Sequence, residues 1–337
     1  MNAQSQHVEF AERMRAFAGA RLGGSLREGS LIRLTGGASQ ETWAFDVVGH
    51  DGIVPLILRR MPSGVALIDA GIGPELEAWL IRCAHRCGVP EPGVRHVLDP
   101  EDALGRGFVM ERVEGETLAR RILRDDIFAD VRPRLARMCG EILARIHAID
   151  MREAPRLPVQ PALAQVEELE AVHRNANCRS AVFELALRWL RQNIPEEVSP
   201  PRLVHGDFRN GNLIIGREGV RAVLDWELAH LGDPAEDLGY ITVNSWRFGA
   251  IDKPVGGFGT IEQLLEGYLA AGGPPIDMER ILFWQVMGSL RWGLMCREMA
   301  RPPEPDAPIT VERAMIGRRV SETELDLLDL LAPEKTA

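Results

Sequence analysis

Strand-like segments separated by turn residues fill the first part of the chain. LIRLTG (31–36), TWAFDVV (42–48) and VPLILRR (54–60) are short and largely apolar, and Gly-rich or Asp-Gly turns divide them. VRHVLD (94–99) and GFVMERV (107–113) have the same character. The pattern predicts an antiparallel meander with two further strands.

Helical periodicity interrupts these strands and then dominates the rest of the chain. Apolar residues recur at helical spacing over 74–87, and Gly88 ends that run. The same spacing extends over 118–147, over 164–193 and through most of 235–331. Most of the second half is therefore predicted to be helical.

Three apolar segments in the second half are too short for helices. They are LVH (203–205), LII (213–215) and AVLD (222–225), and each is a candidate strand. Together with the preceding patterns they predict an α+β fold of two lobes. A small β-rich lobe would span 1–112, and a larger, mainly helical lobe would span 113–337.

The net charge of the chain bears on whether it binds nucleic acid. The 337 residues carry 39 Lys and Arg against 49 Asp and Glu, a formal net charge of −10. Nucleic-acid binding needs a basic face, and none is apparent, so we expect no nucleic-acid partner.

Cysteine usage and hydropathy bear on the compartment. The cysteines are odd in number and scattered, unlike a disulfide framework. The N-terminal segment resembles a short amphipathic helix rather than a secretory signal, and no apolar stretch approaches the ~20 residues of a membrane span. We therefore expect a cytoplasmic protein without a membrane partner.

The stretch LVHGDFRNGNLIIGREGVRAVLDWE (203–227) concentrates polar residues around two short apolar runs. Asn212 follows Asp207 by five positions, with glycines that permit a tight loop, and Asp225 ends the second short strand. Phosphoryl transfer needs a carboxylate near the acceptor hydroxyl and oxygen ligands for Mg²⁺. A polar turn between buried strands would explain a lone His-Gly-Asp, but the complete set is more specific than that.

These residues resemble the HGDxxxxN and D-(F/W/I)-E motifs of the aminoglycoside phosphotransferase family, which has a protein-kinase-like fold. The resemblance implies that Asp207 is the catalytic base and that Asn212 and Asp225 bind Mg²⁺. It gives Glu227 a supporting place near the metal. His205 is expected to be a scaffold residue of the loop.

A further segment similar to this family is GDPAEDLGY (232–240). By the resemblance, Asp237 would lie buried beneath the catalytic loop and hold its backbone.

A nucleotide site of this kind also needs a glycine-rich turn and a cation in the β-rich lobe. Gly36, Gly37 and Ser39 of TGGASQET supply a candidate phosphate turn, although Gly-Gly between strands is usually only a hairpin. Ile57 and Arg59 share one strand face, so Ile57 would line an adenine pocket and Arg59 would point at phosphates. Arginine stands here in place of the usual kinase lysine.

Two more parts of the predicted nucleotide site follow from the resemblance. Glu77 is the preferred helical acid to pair with Arg59, with Glu75 as the alternative that a helix dipole would favour anyway. FVMERVEGETL resembles the family's hinge, where the backbone of Glu111 and Val113 would bond adenine and Met110 would back the pocket. A plain edge strand is the alternative for this segment.

Two aromatic segments are the sequence's candidates for the site that binds the phosphoryl acceptor. SWRFG (245–249) and LRWGL (291–295) supply Trp246, Arg247, Arg291 and Trp292, a neutral-to-cationic aromatic set that could also be core. If the set faces the acceptor, an anionic or large organic compound fits better than a polycationic antibiotic. SWRFG and LDWELAHLGDP also resemble the branch related to kinase domains of acyl-CoA dehydrogenase 10 and 11 type proteins.

The resulting hypothesis is an ATP- and Mg²⁺-dependent phosphotransferase. Its acceptor would be a small hydroxylated metabolite, with a hydroxyacyl-CoA as the suggested example. An aminoglycoside O-phosphotransferase is one alternative. A non-catalytic nucleotide-binding pseudokinase is the other, motivated by Arg59 in place of lysine.

Overall fold

The computed structural model describes residues 3–34, 40–61, 71–152, 154–176, 179–302 and 309–332. The chain forms two compact units. The first comprises Met1–Gly115 and Arg221–Ala229, and the second comprises Glu116–Val220 and His230–Ala337.

The segment 221–229 groups differently from the predicted lobes. The sequence places it in the second lobe, whereas its hydrogen bonds bind it to the first unit. Val223 donates its backbone N–H to the Pro90 carbonyl at 2.9 Å, and Trp226 donates its indole N–H to the Glu91 carboxylate at 3.1 Å. Contacts between segments so far apart in the chain leave no periodic signal. The remaining lobe bounds stay predictions.

An antiparallel sheet of six strands forms the centre of the first unit. Its strands are β1 (Ser25–Leu26), β2 (Ile32–Leu34), β3 (Glu41–Gly49), β4 (Gly52–Met61), β5 (Val94–Val97) and β6 (Arg106–Glu111). The order is β1-β3-β4-β6-β5, and β2 also pairs with β3. The α+β fold class is confirmed. Because β6 rather than β5 lies beside β4, the order of a meander ends at β4.

Two helices pack on this sheet, α1 (Ala3–Arg21) and α2 (Pro74–Arg86). Phe10 of α1 meets the Trp43 ring with centroids 4.5 Å apart, in a core that also contains Met14 and Leu58. Each such buried side chain contributes roughly 1.5–3 kcal/mol relative to an exposed one. Pro74 is pre-organised for the first turn of α2, and this helix buries Glu77 among its apolar residues.

The second unit is mainly helical. Its helices are α3 (Ala119–Arg124), α4 (Leu135–His147), α5 (Ala162–Arg174), α6 (Ala181–Gln192), α7 (Ala235–Tyr240), α8 (Ile261–Ala270), α9 (Met278–Met299) and α10 (Val311–Leu331). The short strands are β7 (Arg202–Val204), β8 (Leu213–Ile215), β9 (Val220–Val223), which crosses the unit boundary, and β10 (His230–Gly232). No helix in the described part of the chain is long and apolar enough to cross a membrane.

Two of the stretches with helical spacing are each divided into separate helices in the structure. The run over 118–147 breaks after α3, where Asp125 takes an extended conformation, and Pro133 lies in a 3₁₀ turn just before α4 begins. The run over 164–193 breaks before α6, because the Ser180 side chain accepts the Phe183 N–H and starts a new helix. The sequence also misses β10, which pairs antiparallel with β7 through His230 and Val204.

The core of the second unit surrounds α9. Trp284 and Leu290 of this helix are buried together with Phe183 and Leu187 of α6. Ala235 of α7 belongs to the same buried cluster.

Candidate functional site

The loop between β7 and β8 carries the predicted catalytic residues. Gly206 and Gly211 have φ angles of +81° and +116°, a region in which other residues are strained. The buried Asp237 carboxylate accepts the backbone N–H groups of His205 and Gly206 at 2.8 and 2.9 Å. The His147 ring lies 3.0 Å from the same carboxylate and fixes it in turn. The loop backbone is therefore tied to the helices beneath it.

His205 lies inside this loop. Its ring is buried, and Nδ1 accepts the Asp207 backbone N–H at 3.2 Å. The ring also meets the edge of Phe208, with centroids 5.8 Å apart. These contacts hold the His205 ring inside the loop, and its scaffold role stays a prediction.

The Asp207 carboxylate is surrounded by donors within the second unit. Asn212 donates from Nδ2 to Oδ2 at 2.5 Å, and Arg209 donates from Nε to Oδ1 at 2.9 Å. Tyr240 also hydrogen-bonds Asp207, and burial together with the Asp207 charge raises the pKa of this phenol well above its ordinary value. The donors hold the carboxylate in one orientation. Since Nδ2 of Asn212 faces Asp207, its Oδ1 is the atom suited to a cation.

Arg209 and Tyr240 are functional candidates that sequence reasoning missed. The Arg209 guanidinium lies 4.6 Å from the centroid of the Trp246 ring, in addition to its ion pair with Asp207. Trp246 in turn meets Trp292 and Tyr240, with ring centroids 4.9 and 5.5 Å apart. Arg209 stands only two positions after Asp207, and this position in the loop is the sequence signal that could have identified it.

The two cations predicted for an acceptor site bind protein groups instead. Arg247 donates to the carbonyls of Thr242 and Ile251, and burial lowers the pKa of its guanidinium. Arg291 pairs with Glu236 at 3.2 Å and also bonds Gln165. Their role as acceptor contacts stays a prediction, and these contacts favour a structural role.

Glu236 belongs to a buried network within the same unit. Burial alone would raise the pKa of Glu236, but the His230 and Arg291 charges and further hydrogen bonds lower it to about 2. A buried carboxylate beside a guanidinium and further hydrogen-bond donors is stabilised as an anion. The network pairs the Arg291 guanidinium with the Glu236 carboxylate.

In the first unit, Arg59 of β4 joins two carboxylates. It lies 3.0 Å from Glu77 and donates to Oδ1 of Asp225 at 3.1 Å. Burial alone would lower the Arg59 pKa, but the charges of Glu77 and Asp225 raise it above the ordinary value. Burial raises the pKa of Glu77, and Arg59 opposes that shift. The alternative acid, Glu75, pairs on the surface with Arg106 at 2.6 Å.

The segment that contains Asp225 has an unusual backbone. Asp225 has a φ angle of +71°, in the left-handed region, and a short 3₁₀ turn follows it at Trp226–Leu228. The Glu227 carbonyl accepts the Ile72 N–H at 2.9 Å. The Glu227 charge acts on Arg59 and Glu77, which locates it near their ion pair.

The remaining predicted nucleotide residues are divided between the described and undescribed parts of the chain. Ile57 and Met110 are buried and directly opposite each other on β4 and β6. The Glu111 N–H bonds the Gly93 carbonyl at 2.9 Å, so an adenine contact of Glu111 would use its carbonyl. Val113 follows β6 in the connecting segment. Gly36, Gly37 and Ser39 lie outside the described residues.

A second group of possible metal ligands occurs in the first unit. His96, Asp99 and Asp102 place one ligand atom each within 4.8 Å of one another. Arg21 already binds both aspartates, at 3.0 and 2.8 Å. Because this guanidinium neutralises the carboxylates, the group is a surface ion-pair cluster.

Comparison with known proteins identifies the family and the fold of the chain. Residues 30–284 match the family model described as APH, phosphotransferase enzyme family. The chain is 31% identical over 249 residues to mouse acyl-CoA dehydrogenase family member 10, covering 66% of this chain and 22% of that protein. It therefore spans less than a quarter of that curated relative.

Solved structures share the fold over nearly the whole chain. A provisionally assigned aminoglycoside phosphotransferase from Ralstonia eutropha superposes with a TM-score of 0.72 at 19% identity, covering 95% of this chain and 98% of that one. A thermostable mutant of aminoglycoside phosphotransferase APH(4)-Ia, in ternary complex with AMP-PNP and hygromycin B, gives a TM-score of 0.62 at 16% identity, covering 95% of this chain and 99% of that one. The two-lobed, kinase-like fold predicted from the sequence is thereby confirmed. This chain belongs to the APH family of phosphotransferase enzymes.

Proposed function

We propose that the protein transfers the γ-phosphoryl group of ATP to a hydroxyl group of a small metabolite, with Asp207 as the general base. The observation that carries this proposal is the Asp207–Asn212 contact, in a loop whose backbone Asp237 holds. Phosphoryl transfer requires a positioned base and an oxygen ligand for the metal, which this pair would supply. The complex of the APH(4)-Ia relative with AMP-PNP and hygromycin B supports a nucleotide donor and a hydroxylated acceptor.

The proposed reaction balances without a further reactant. The acceptor oxygen forms a bond to the γ-phosphorus as the bond between that phosphorus and the ADP oxygen breaks. The proton of the acceptor hydroxyl passes to the Asp207 carboxylate, and ADP leaves. Arg209 and Asn212 orient the carboxylate for this transfer.

The metal and nucleotide contacts are assigned from the motifs. Asn212 and Asp225 offer amide and carboxylate oxygens, the donor types that Mg²⁺ prefers, and they would hold the ion. When bound, Mg²⁺ would neutralise charge on the phosphate oxygens. Arg59 would contact phosphate from the first unit, paired with Glu77 as the structure describes.

Adenine would lie beside the hinge of the first unit. Ile57 and Met110 are adjacent across β4 and β6, where Ile57 would line the adenine pocket and Met110 would lie at its back. The Glu111 carbonyl and the Val113 N–H would bond its edge. Gly36, Gly37 and Ser39 would contact the phosphates.

The surroundings of Asp207 favour an anionic acceptor. Arg209 is the cation nearest to the carboxylate, and its guanidinium covers Trp246. The buried indole N–H groups of Trp246 and Trp292 have no acceptor among the described residues, and both rings pack in one apolar cluster with Tyr240 and Val243. Arg209 offers an ionic partner to a carboxylate, phosphate or acyl-CoA acceptor, whereas its pairing with Asp207 neutralises the acid that a polycationic aminoglycoside would bind. The acyl-CoA dehydrogenase family relative supports a hydroxyacyl-CoA.

A nucleotide-binding module without turnover is the competing function. Its specific support is the hydrogen bond from Arg59 to Asp225, which engages one oxygen of a predicted metal ligand. Such a module would be stabilised by nucleotide and would show no acceptor-dependent turnover.

ADP release with Mg²⁺-ATP tests these proposals over a panel of hydroxyacyl-CoAs, sugars, amino alcohols and aminoglycosides. We expect the anionic acceptors to stimulate release, and Arg209→Met to raise their KM about tenfold or more, as loss of a charged hydrogen bond predicts. Arg188→Met, on the exposed side of α6, is the matched control. Turnover of aminoglycosides alone would contradict the metabolite acceptor, and nucleotide binding without any turnover would favour the competing function.

A further inference from the structure

A buried acid lies beside the Asp225 segment and has no part in the proposed chemistry. Glu91 follows α2 in the turn GVPEP, and its side chain is 7% exposed. Its Oε1 accepts the Trp226 indole N–H at 3.1 Å. Within the described ranges, Oε2 has no hydrogen-bond partner and no basic side chain pairs with Glu91. Among the described residues, the Trp226 indole is therefore the hydrogen-bond partner of the buried Glu91 carboxylate.

That hydrogen bond holds the residue next to Asp225. Trp226 is fully buried, so its indole cannot exchange the Glu91 contact for water. The neighbouring backbone is bonded to the same turn, because Val223 donates its N–H to the Pro90 carbonyl at 2.9 Å. The Glu91 turn therefore contacts the chain on both sides of Asp225.

Asp225 itself needs such support. Its φ angle of +71° is costly for a residue with a side chain, and conformations of this type persist only where the surroundings enforce them. The carboxylate is 31% exposed and receives one hydrogen bond from Arg59. Arg59 holds the carboxylate, while the Glu91 turn holds the backbone that aims it.

We propose that Glu91 is a positioning residue, which fixes the Asp225–Trp226–Glu227 segment through its hydrogen bond to the Trp226 indole. The proposal rests on the proposed function in one respect, that Asp225 binds Mg²⁺ with the nucleotide. Burial, with a smaller effect of the Glu77 charge, raises the pKa of Glu91 well above the ordinary value. A neutral carbonyl-type acceptor at this position should therefore replace it.

Two variants of similar size separate this role from simple packing. Glu91→Gln keeps an acceptor oxygen for the indole, whereas Glu91→Met fills the space without one. Met14→Ala, in the buried core under α1, controls for a general loss of stability in the same unit. We expect Glu91→Met to weaken Mg²⁺-ADP binding in calorimetry about tenfold, the lower end of the loss when a group that orients a metal ligand is removed. Glu91→Gln and Met14→Ala should stay within about threefold of the wild type.

A second measurement needs neither metal nor nucleotide. The Trp226 indole N–H resonance, assigned with Trp226→Phe, should move in Glu91→Met and stay near its wild-type position in Glu91→Gln. An unchanged resonance in Glu91→Met would overturn the proposal, and so would Mg²⁺-ADP binding by Glu91→Met equal to that of Met14→Ala. If the wild type itself fails to bind Mg²⁺-ADP, the proposed function fails, and the resonance alone then decides the role of Glu91.

Discussion

Arg59 makes two ion pairs within the first unit. Replacing it should lower the free energy of unfolding by a large amount that depends on pH. The side chain is 13% exposed and lies 3.0 Å from Glu77 and 3.1 Å from Asp225. Arg59→Met removes the cation while Glu77 remains fully buried. The substitution leaves an uncompensated acid in the interior.

The size of the loss follows from the burial of Glu77. Two unit charges 3.0 Å apart attract by about 5.5 kcal/mol at an effective dielectric constant of 20, before desolvation is subtracted. Breaking a buried pair by removing one partner costs about 3–5 kcal/mol. Because Glu77 can take up a proton instead of staying charged, we expect the lower end, about 3 kcal/mol at pH 8.

The sign of the pH dependence follows from proton linkage. Burial already raises the pKa of Glu77 above its ordinary value of 4.5, and loss of Arg59 raises it further. The folded variant then binds more protons than the unfolded chain above pH 4.5. Its stability is fully present below that pH and falls as the pH rises through the raised pKa. The destabilisation relative to wild type should therefore shrink towards pH 5.

Urea unfolding at pH 5, 6.5 and 8 provides the assay. Arg106→Met is the matched control, since Arg106 pairs with the partly exposed Glu75 and such surface pairs contribute below about 1 kcal/mol. Arg59→Met/Glu77→Gln should recover most of the loss, because both partners of the buried pair are gone. A loss below about 1 kcal/mol at pH 8, or the same loss at all three pH values, would refute this reasoning.

Three further predictions concern metal, loop and acid stability. Mg²⁺-ATP at 100-fold over its Kd should stabilise the protein by about 2.7 kcal/mol in thermal unfolding, and a chelator should remove most of this effect; equal shifts with and without metal would count against Asn212 and Asp225 as ligands. Asp237→Asn should lower kcat and destabilise the protein by about 2–3 kcal/mol in urea, since Asp237 accepts two loop N–H groups; unchanged kcat would show that the loop does not need it. The pKa of Glu236 is lowered to about 2 from 4.5, a shift that represents roughly 3 kcal/mol of stability. This stability is present above pH 4.5 and is lost as the pH falls towards 2. Glu236→Gln should flatten that part of the plot of stability against pH, and an unaltered plot would contradict the prediction.

The sequence predicts features whose residues are close along the chain or share a strand face. Asp207 and Asn212 stand in one loop, and the period-two pattern of β4 identifies Arg59. Pairing between Arg59 and Glu77 could be proposed because both belong to a known pattern. These relations need only local geometry and a family resemblance.

Contacts between distant segments could not be predicted in the same way. Glu91 and Trp226 are separated by 135 positions, and neither has a periodic or motif signal for the other. Arg291 has the composition of a ligand residue, yet the buried Glu236 binds it. Arg209 was overlooked because its contact with Trp246 depends on how the loop meets the following helices. Tertiary packing decides which charged residues remain available to a ligand.

The central claim is that Asp207 accepts the acceptor proton during phosphoryl transfer, and Asp207→Asn tests it most directly. The measurement is the rate of γ-phosphate transfer from Mg²⁺-ATP to the best acceptor of the panel, with Asp150→Asn, at an exposed aspartate, as the control. We expect Asp207→Asn to lose about 10²- to 10⁴-fold in rate, with Mg²⁺-ADP affinity nearly unchanged and the control at the wild-type rate. Transfer by Asp207→Asn at the wild-type rate would contradict the claim.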